Sequence, residues 1–149
     1  MALVAVSACA PTGGAADAAV CRTFDGGAAG PSVKRSEISA IIDASCAISS
    51  CHGNAPGGGR LHLPRSGTGD WYPNVVGFPA TELPRMSRVS PGDPANSWLV
   101  HKVFGSHCKF DAECIDRSCR DPMPPTGDML PATDVQKIID WIRSGAPAT

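Results

Sequence analysis

Cys46-Ala47-Ile48-Ser49-Ser50-Cys51-His52 places a cysteine directly before a histidine, with a second cysteine upstream at the end of an amphipathic stretch. This is the logic of c-type haem attachment. Two thiols add to the two vinyl groups of the macrocycle, and the adjacent histidine is held under the iron as its proximal ligand. The usual spacing has about two residues between the cysteines; here there are four. Longer spacings occur in some multihaem cytochromes, so the motif remains chemically competent. Two other readings of the same residues are a Cys46–Cys51 disulfide closing a small loop, and a zinc site. The zinc reading lacks a second matching ligand pair near the end of the chain.

Upstream of the motif, Ser36 and Glu37 are followed by Ile38, Ile41 and Ile42 at i, i+3 and i+4. That predicts a short amphipathic helix running into Cys46. Between Gly53 and Arg88 glycine and proline are frequent and periodicity is poor, which predicts a long irregular segment with short helical turns around Trp71 to Val76. A loop of that length is costly unless it covers something. Ser90-Pro91-Gly92-Asp93-Pro94 is a dense turn signal, after which Asn96 or Ser97 is placed to cap a helix carrying Leu99, Val103 and Phe104, ended by Gly105. Leu130 to Gly145 is the clearest helix, with Val135, Ile138, Ile139 and Ile142 on one face, Pro131 in a first-turn position and Gly145 as C-terminal cap. No strand pattern of comparable quality and no internal repeat is present.

Composition limits what such a chain can be. Its 149 residues suit one domain with a tail. Aromatic residues make up 5%, against 16 glycines and 14 prolines, so large apolar side chains are scarce and a bound macrocycle is an attractive core filler. The formal net charge of −1 and the lack of a basic run argue against nucleic acid as a partner. Seven cysteines point to an oxidising compartment and so to export.

The N-terminus fits export. Residues 1 to 10 form a short apolar run ending in Val6-Ser7-Ala8-Cys9, similar to the lipobox of bacterial lipoproteins, in which the cysteine carries the lipid; a basic n-region is missing and the apolar region is clipped. Setting Cys9 aside leaves six cysteines, an even number. From Ala10 to Pro31 alanine and glycine dominate without apolar periodicity, which reads as a tether. Residues 1–31 are therefore expected to form a signal remnant and flexible tether, and residues 32–149 the folded domain.

The second half supplies a candidate for the other face of the iron. In Asp121-Pro122-Met123-Pro124-Pro125, prolines on both sides keep Met123 out of a helix and fix its reach. Thioether ligation opposite histidine raises the reduction potential, which suits electron transfer. Met86, also near proline, is its main competitor. Met129 reads better as an anchor of the last helix, His62 as a residue of the haem edge or simply of the loop, and His101 and His107 as surface residues. Cys108, Cys114 and Cys119, with Cys21, are expected to form two disulfides, with three pairings open; a zinc site from His107 and the three cysteines is the alternative. Trp98 and Trp141 are expected to pack on the core or the haem rim. Arg85, Arg88 and Lys102 are candidates for pairing with haem propionates or for a solvated face.

The order of these features resembles the small class I cytochrome c domains of bacterial lipoproteins, notably of myxobacteria and planctomycetes. The resemblance rests on Ile38 to Gly53, Arg88 to Leu99 with its Pro-Gly-Asp-Pro turn, Met123-Pro124-Pro125, and Ile138 to Ala146 with its Trp and Gly-Ala ending, covering most of residues 34 to 147. It implies an all-α bundle of three to four short helices with long irregular loops around one haem c per chain. It also implies thioether donors Cys46 and Cys51, iron ligands His52 and Met123, and one-electron transfer to a redox partner protein without substrate turnover. The site of action it implies is the periplasm, or the membrane through a lipid on Cys9. The alternative from a different class is a disulfide-stapled exported lipoprotein that binds or scaffolds without haem. An open-haem enzyme such as a peroxidase has no acid–base arrangement to support it.

Overall fold

The computed structural model describes residues 21–125 and 129–149, and within them the chain is helical: three α-helices, a set of one-turn 3₁₀ segments and isolated bridges in place of strands. Helix α1 spans Arg35–Ser45, α2 Trp98–Phe104 and α3 Ala132–Arg143. Helices α1 and α3 have the cause the sequence predicts, whereas α2 buries Trp98, Val100, His101, Lys102 and Val103 and leaves Leu99 and Phe104 half-buried. In α1, Ile38, Ile41 and Ile42 form one buried stripe, and the Glu37 carboxylate turns back to accept from the Lys34 backbone N–H at 3.2 Å. In α3, Val135, Ile138, Ile139 and Ile142 are all buried, and the chain leaves the helix through Ser144 and Gly145. Gly105, left-handed at φ +85°, ends α2 and donates to the His101 carbonyl.

Helix α1 packs on α3, and α3 on α2. The stripes of α1 and α3 meet Val33, Trp71, Val75, Val89, Val100 and Val103 in the main core. The few aromatics are concentrated there. Trp71 and Trp141 are 2% and 0% exposed and meet edge to face at 5.8 Å between centroids. Their N–H groups donate to Ser39 Oγ and the Pro147 carbonyl, and the Tyr72 hydroxyl donates to the Ala146 carbonyl at 2.8 Å, so the burial leaves no polar end stranded. A second, smaller core gathers Ala80, Leu83, Met86, Trp98, Cys114 and Cys119.

The irregular segment carries one-turn helices at Gly58–Arg60 and Tyr72–Asn74, the latter where helical turns are predicted. At the Pro-Gly-Asp-Pro turn the cap differs from expectation. Asp93 accepts from the Asn96 backbone N–H and caps the 3₁₀ turn Pro94–Asn96, while the Ser97 hydroxyl turns away from α2 to accept from Ser90 N–H and donate to the Asp93 carbonyl. Ser97 thus ties the turn together rather than capping the helix.

Residues 21–31 have no regular secondary structure, yet they are not a loose tether. Cys21 is disulfide-bonded to Cys108, Arg22 N–H donates to the Gly105 carbonyl, and Phe24 packs edge-on against Phe104 and His101. The Arg143 guanidinium gathers the carbonyls of Gly26, Gly27 and Ala28, and Gly30 N–H donates to Asp140 Oδ1 at 2.9 Å. A Cβ on Gly30 would lie 2.0 Å from Asp140 Oδ2, so only glycine permits this approach. The strap is held by its backbone, which periodicity cannot report. No helix among the described residues is long and apolar enough to cross a membrane. Cys9 and the lipobox-like run lie outside the described residues.

Candidate functional site

The end of α1 delivers Cys46, whose N–H closes the helix on the Ile42 carbonyl. Beyond it the chain folds back on itself: Cys51 N–H and Gly53 N–H both donate to the Ile48 carbonyl, Gly58 N–H to the Cys51 carbonyl, and Leu63 N–H to the His52 carbonyl at 2.7 Å. These bonds give the 46–63 segment a fixed shape with a single helical turn, Gly58–Arg60, as its regular structure. They also fix where the His52 ring is carried.

His52 Nδ1 lies 2.9 Å from the Leu61 carbonyl oxygen. A carbonyl only accepts, so Nδ1 carries the hydrogen and Nε2 keeps its lone pair. Burial lowers the pKa of the ring, and the cations Arg88 and Lys102 push in the same direction against the backbone bonds to Leu61 and Gly58. The imidazole is therefore neutral at pH 7, with Nδ1 oriented by a backbone acceptor in the tautomer that leaves a lone pair on Nε2. That is the usual second contact of a metal-ligating histidine.

Cys46 has a free, partly buried thiol, pushed up to about 11 by burial. The Cys46–Cys51 disulfide is thus not formed. Cys51 is itself disulfide-bonded. Cys21–Cys108 and Cys114–Cys119 are the two further disulfides, one of the three pairings open in the sequence. They leave His107 without thiolate neighbours, which removes the zinc site considered for that segment. Among the described residues no group of three or more His, Cys, Asp or Glu is arranged to hold a metal ion through protein ligands alone.

Met123 is half-buried against the main core, and its N–H donates to the Lys102 carbonyl at 3.0 Å. Its competitor Met86 is 4% exposed and fills the second core beside Trp98. Met129 is half-buried, and His62 sits half-buried in the loop with its carbonyl bonded by Asn74.

Two of the three cations read as candidates for a solvated face are buried. Arg85 is the exposed one and pairs with Glu113. Arg88 is 6% exposed, donates to the carbonyls of Asn74 and Arg60 and to Thr81 Oγ1, and stacks over Phe78 at 4.7 Å. No ion pair among the described residues includes it. A desolvated guanidinium bonded only to neutral oxygens is suited to an anionic group brought beside it. Lys102 is 5% exposed, reaching Glu82 at 3.0 Å and the Cys119 carbonyl at 2.8 Å.

His101 and His107, expected at the surface, are buried too. His101 donates from Nε2 to the Ala95 carbonyl and accepts at Nδ1 from the Ser106 hydroxyl; His107 donates from Nε2 to the Arg120 carbonyl, and its Nδ1 has no partner. Burial lowers the pKa of both, so both are neutral at pH 7. Their long-range partners leave no sequence signal.

No protein-family model, no curated protein and no solved structure matches the chain.

Proposed function

We propose that this chain is an exported haem-binding electron-transfer module carrying one c-type haem, with His52 and Met123 as the iron ligands. The observation that carries the reading is the neutral His52 ring, oriented through Nδ1 by the Leu61 carbonyl and left with its Nε2 lone pair. When bound, the haem supplies a one-electron couple, and the chain supplies ligands, burial and orientation.

The residues fit that group in kind. Cys46 would hold the haem through a thioether, its S–H added across a vinyl double bond with no net oxidation. Arg88 offers a buried cation beside His52 for a propionate. Met123 offers a soft thioether from a loop stiffened by flanking prolines, favouring the reduced iron. Attachment through Cys46 stands independently of Cys51, whose sulfur joins only after a thiol reductant has opened its disulfide. The partner this implies is a redox protein, reached in the periplasm or at the membrane surface.

The disulfide at Cys51 favours a second reading, a haem-free, disulfide-stapled exported module that binds or scaffolds. Expression with a cytochrome c maturation system separates the two. The haem reading predicts a reduced α band of c-type position and a haem that survives acid–acetone extraction. Colourless protein after such maturation favours the stapled module.

A further inference from the structure

We propose that Lys102 and His107 are positioning residues for Met123, clamping the segment from Cys119 to Met123 onto α2 and the turn after it. This rests on the haem reading above. The segment has no regular secondary structure, so its backbone groups need partners from elsewhere. Two residues supply three of them. Lys102 Nζ donates to the Cys119 carbonyl at 2.8 Å, His107 Nε2 to the Arg120 carbonyl at 2.9 Å, and the Lys102 carbonyl accepts from Met123 N–H at 3.0 Å. Asp111 holds Cys119 N–H at 2.7 Å, and the Ser118 hydroxyl accepts from Arg120 N–H at 3.2 Å.

Neither residue is where stability alone would put it. Burying an ammonium is unfavourable unless its partners compensate, and buried ion pairs are often no better than apolar replacements. Lys102 nonetheless sits 5% exposed, held by Glu82, which also accepts from Trp98 Nε1. His107 is likewise 5% exposed and strands its Nδ1. An apolar ring would fill that volume without the stranded atom. What it would lose is the Nε2–H bond to Arg120. A weak iron–thioether bond needs its donor held in place before the metal arrives, and a supporting shell locked by packing does that.

The test uses the full chain after cytochrome c maturation, with His107→Phe, His107→Gln and Lys102→Met. Gln places an N–H donor where His107 Nε2 stands, so it should rescue what Phe removes. Two quantities are read: hydrogen exchange of the Met123 amide, and the methionine-to-iron charge-transfer band of the ferric protein. The clamp predicts exchange about tenfold faster in His107→Phe and Lys102→Met, loss of the band in both, and wild-type values in His107→Gln. Met123 exchange within about twofold of wild type in both disruptive variants overturns the clamp, whatever the haem content. Wild-type protein without haem, but with the tenfold response, supports the clamp and counts against the haem reading instead.

Discussion

The Leu61 carbonyl sits 2.9 Å from His52 Nδ1, and this contact fixes both the tautomer and the direction of the ring. It arises from a loop that returns on itself, since Leu63 N–H is bonded to the His52 carbonyl two residues further on. A histidine held this way loses little freedom on taking a metal at Nε2. The preorganisation is built by the segment that follows Cys51, not by the cysteines.

The two candidate methionines separate by environment. Met86→Ala empties a buried position in the second core and is expected to cost about 2–5 kcal/mol of stability while leaving the methionine signature of the proposed haem iron intact. Met123→Ala removes a half-buried side chain and is expected to abolish that signature at a smaller cost in stability. Optical spectra and urea denaturation of the two variants check this. Loss of the signature in Met86→Ala alone would reverse the assignment.

The disulfides should differ in worth because the chain they close differs in length. Cys21–Cys108 spans a sequence separation of 87 and Cys114–Cys119 one of 5. Chain-entropy arguments give about 4–5 kcal/mol for the first and about 2 kcal/mol for the second. Denaturation of Cys21→Ser/Cys108→Ser and Cys114→Ser/Cys119→Ser double variants measures the order. Equal losses would mean that the strap of residues 21–31 is held chiefly by Arg143 and Asp140.

Gly30→Ala tests that strap directly. The added Cβ would fall 2.0 Å from Asp140 Oδ2, so the Gly30 to Asp140 hydrogen bond has to break and a buried carboxylate loses a donor. The expected cost is about 1–3 kcal/mol, read as a lower urea midpoint. A midpoint equal to wild type contradicts the docking of residues 21–31 on α3.

Acid should weaken the fold through its buried histidines. Burial lowers the pKa of His101 and of His107 from 6.5. Below about pH 6.5 the unfolded chain therefore takes up protons that the folded chain still refuses, and stability falls with pH. The contribution is complete above that pH and is lost as pH drops through the folded values. Urea midpoints measured from pH 7.5 down to pH 5 are expected to decline; a flat or rising profile contradicts the buried, neutral state of both rings.

The helices were legible because their stripes are local. Ile38, Ile41 and Ile42, and Val135, Ile138, Ile139 and Ile142, announce buried faces at helical spacing, and all are buried. The strap was not legible, since Arg143 and Asp140 bind its backbone and glycine-rich sequence reads the same whether docked or free. The buried state of Arg88, Lys102, His101 and His107 was hidden for a related reason: partners such as the Asn74, Cys119, Ala95 and Arg120 carbonyls are backbone groups set by tertiary folding. The candidate ligands His52 and Met123 stood out by their neighbours in sequence. The contacts that orient them did not.

A haem site at His52 with Cys46 as covalent donor predicts that the intact mass of the full chain, taken under denaturing conditions after cytochrome c maturation, is the polypeptide plus one haem, with the added mass lost in Cys46→Ser. A mass equal to the polypeptide and its disulfides alone would contradict it.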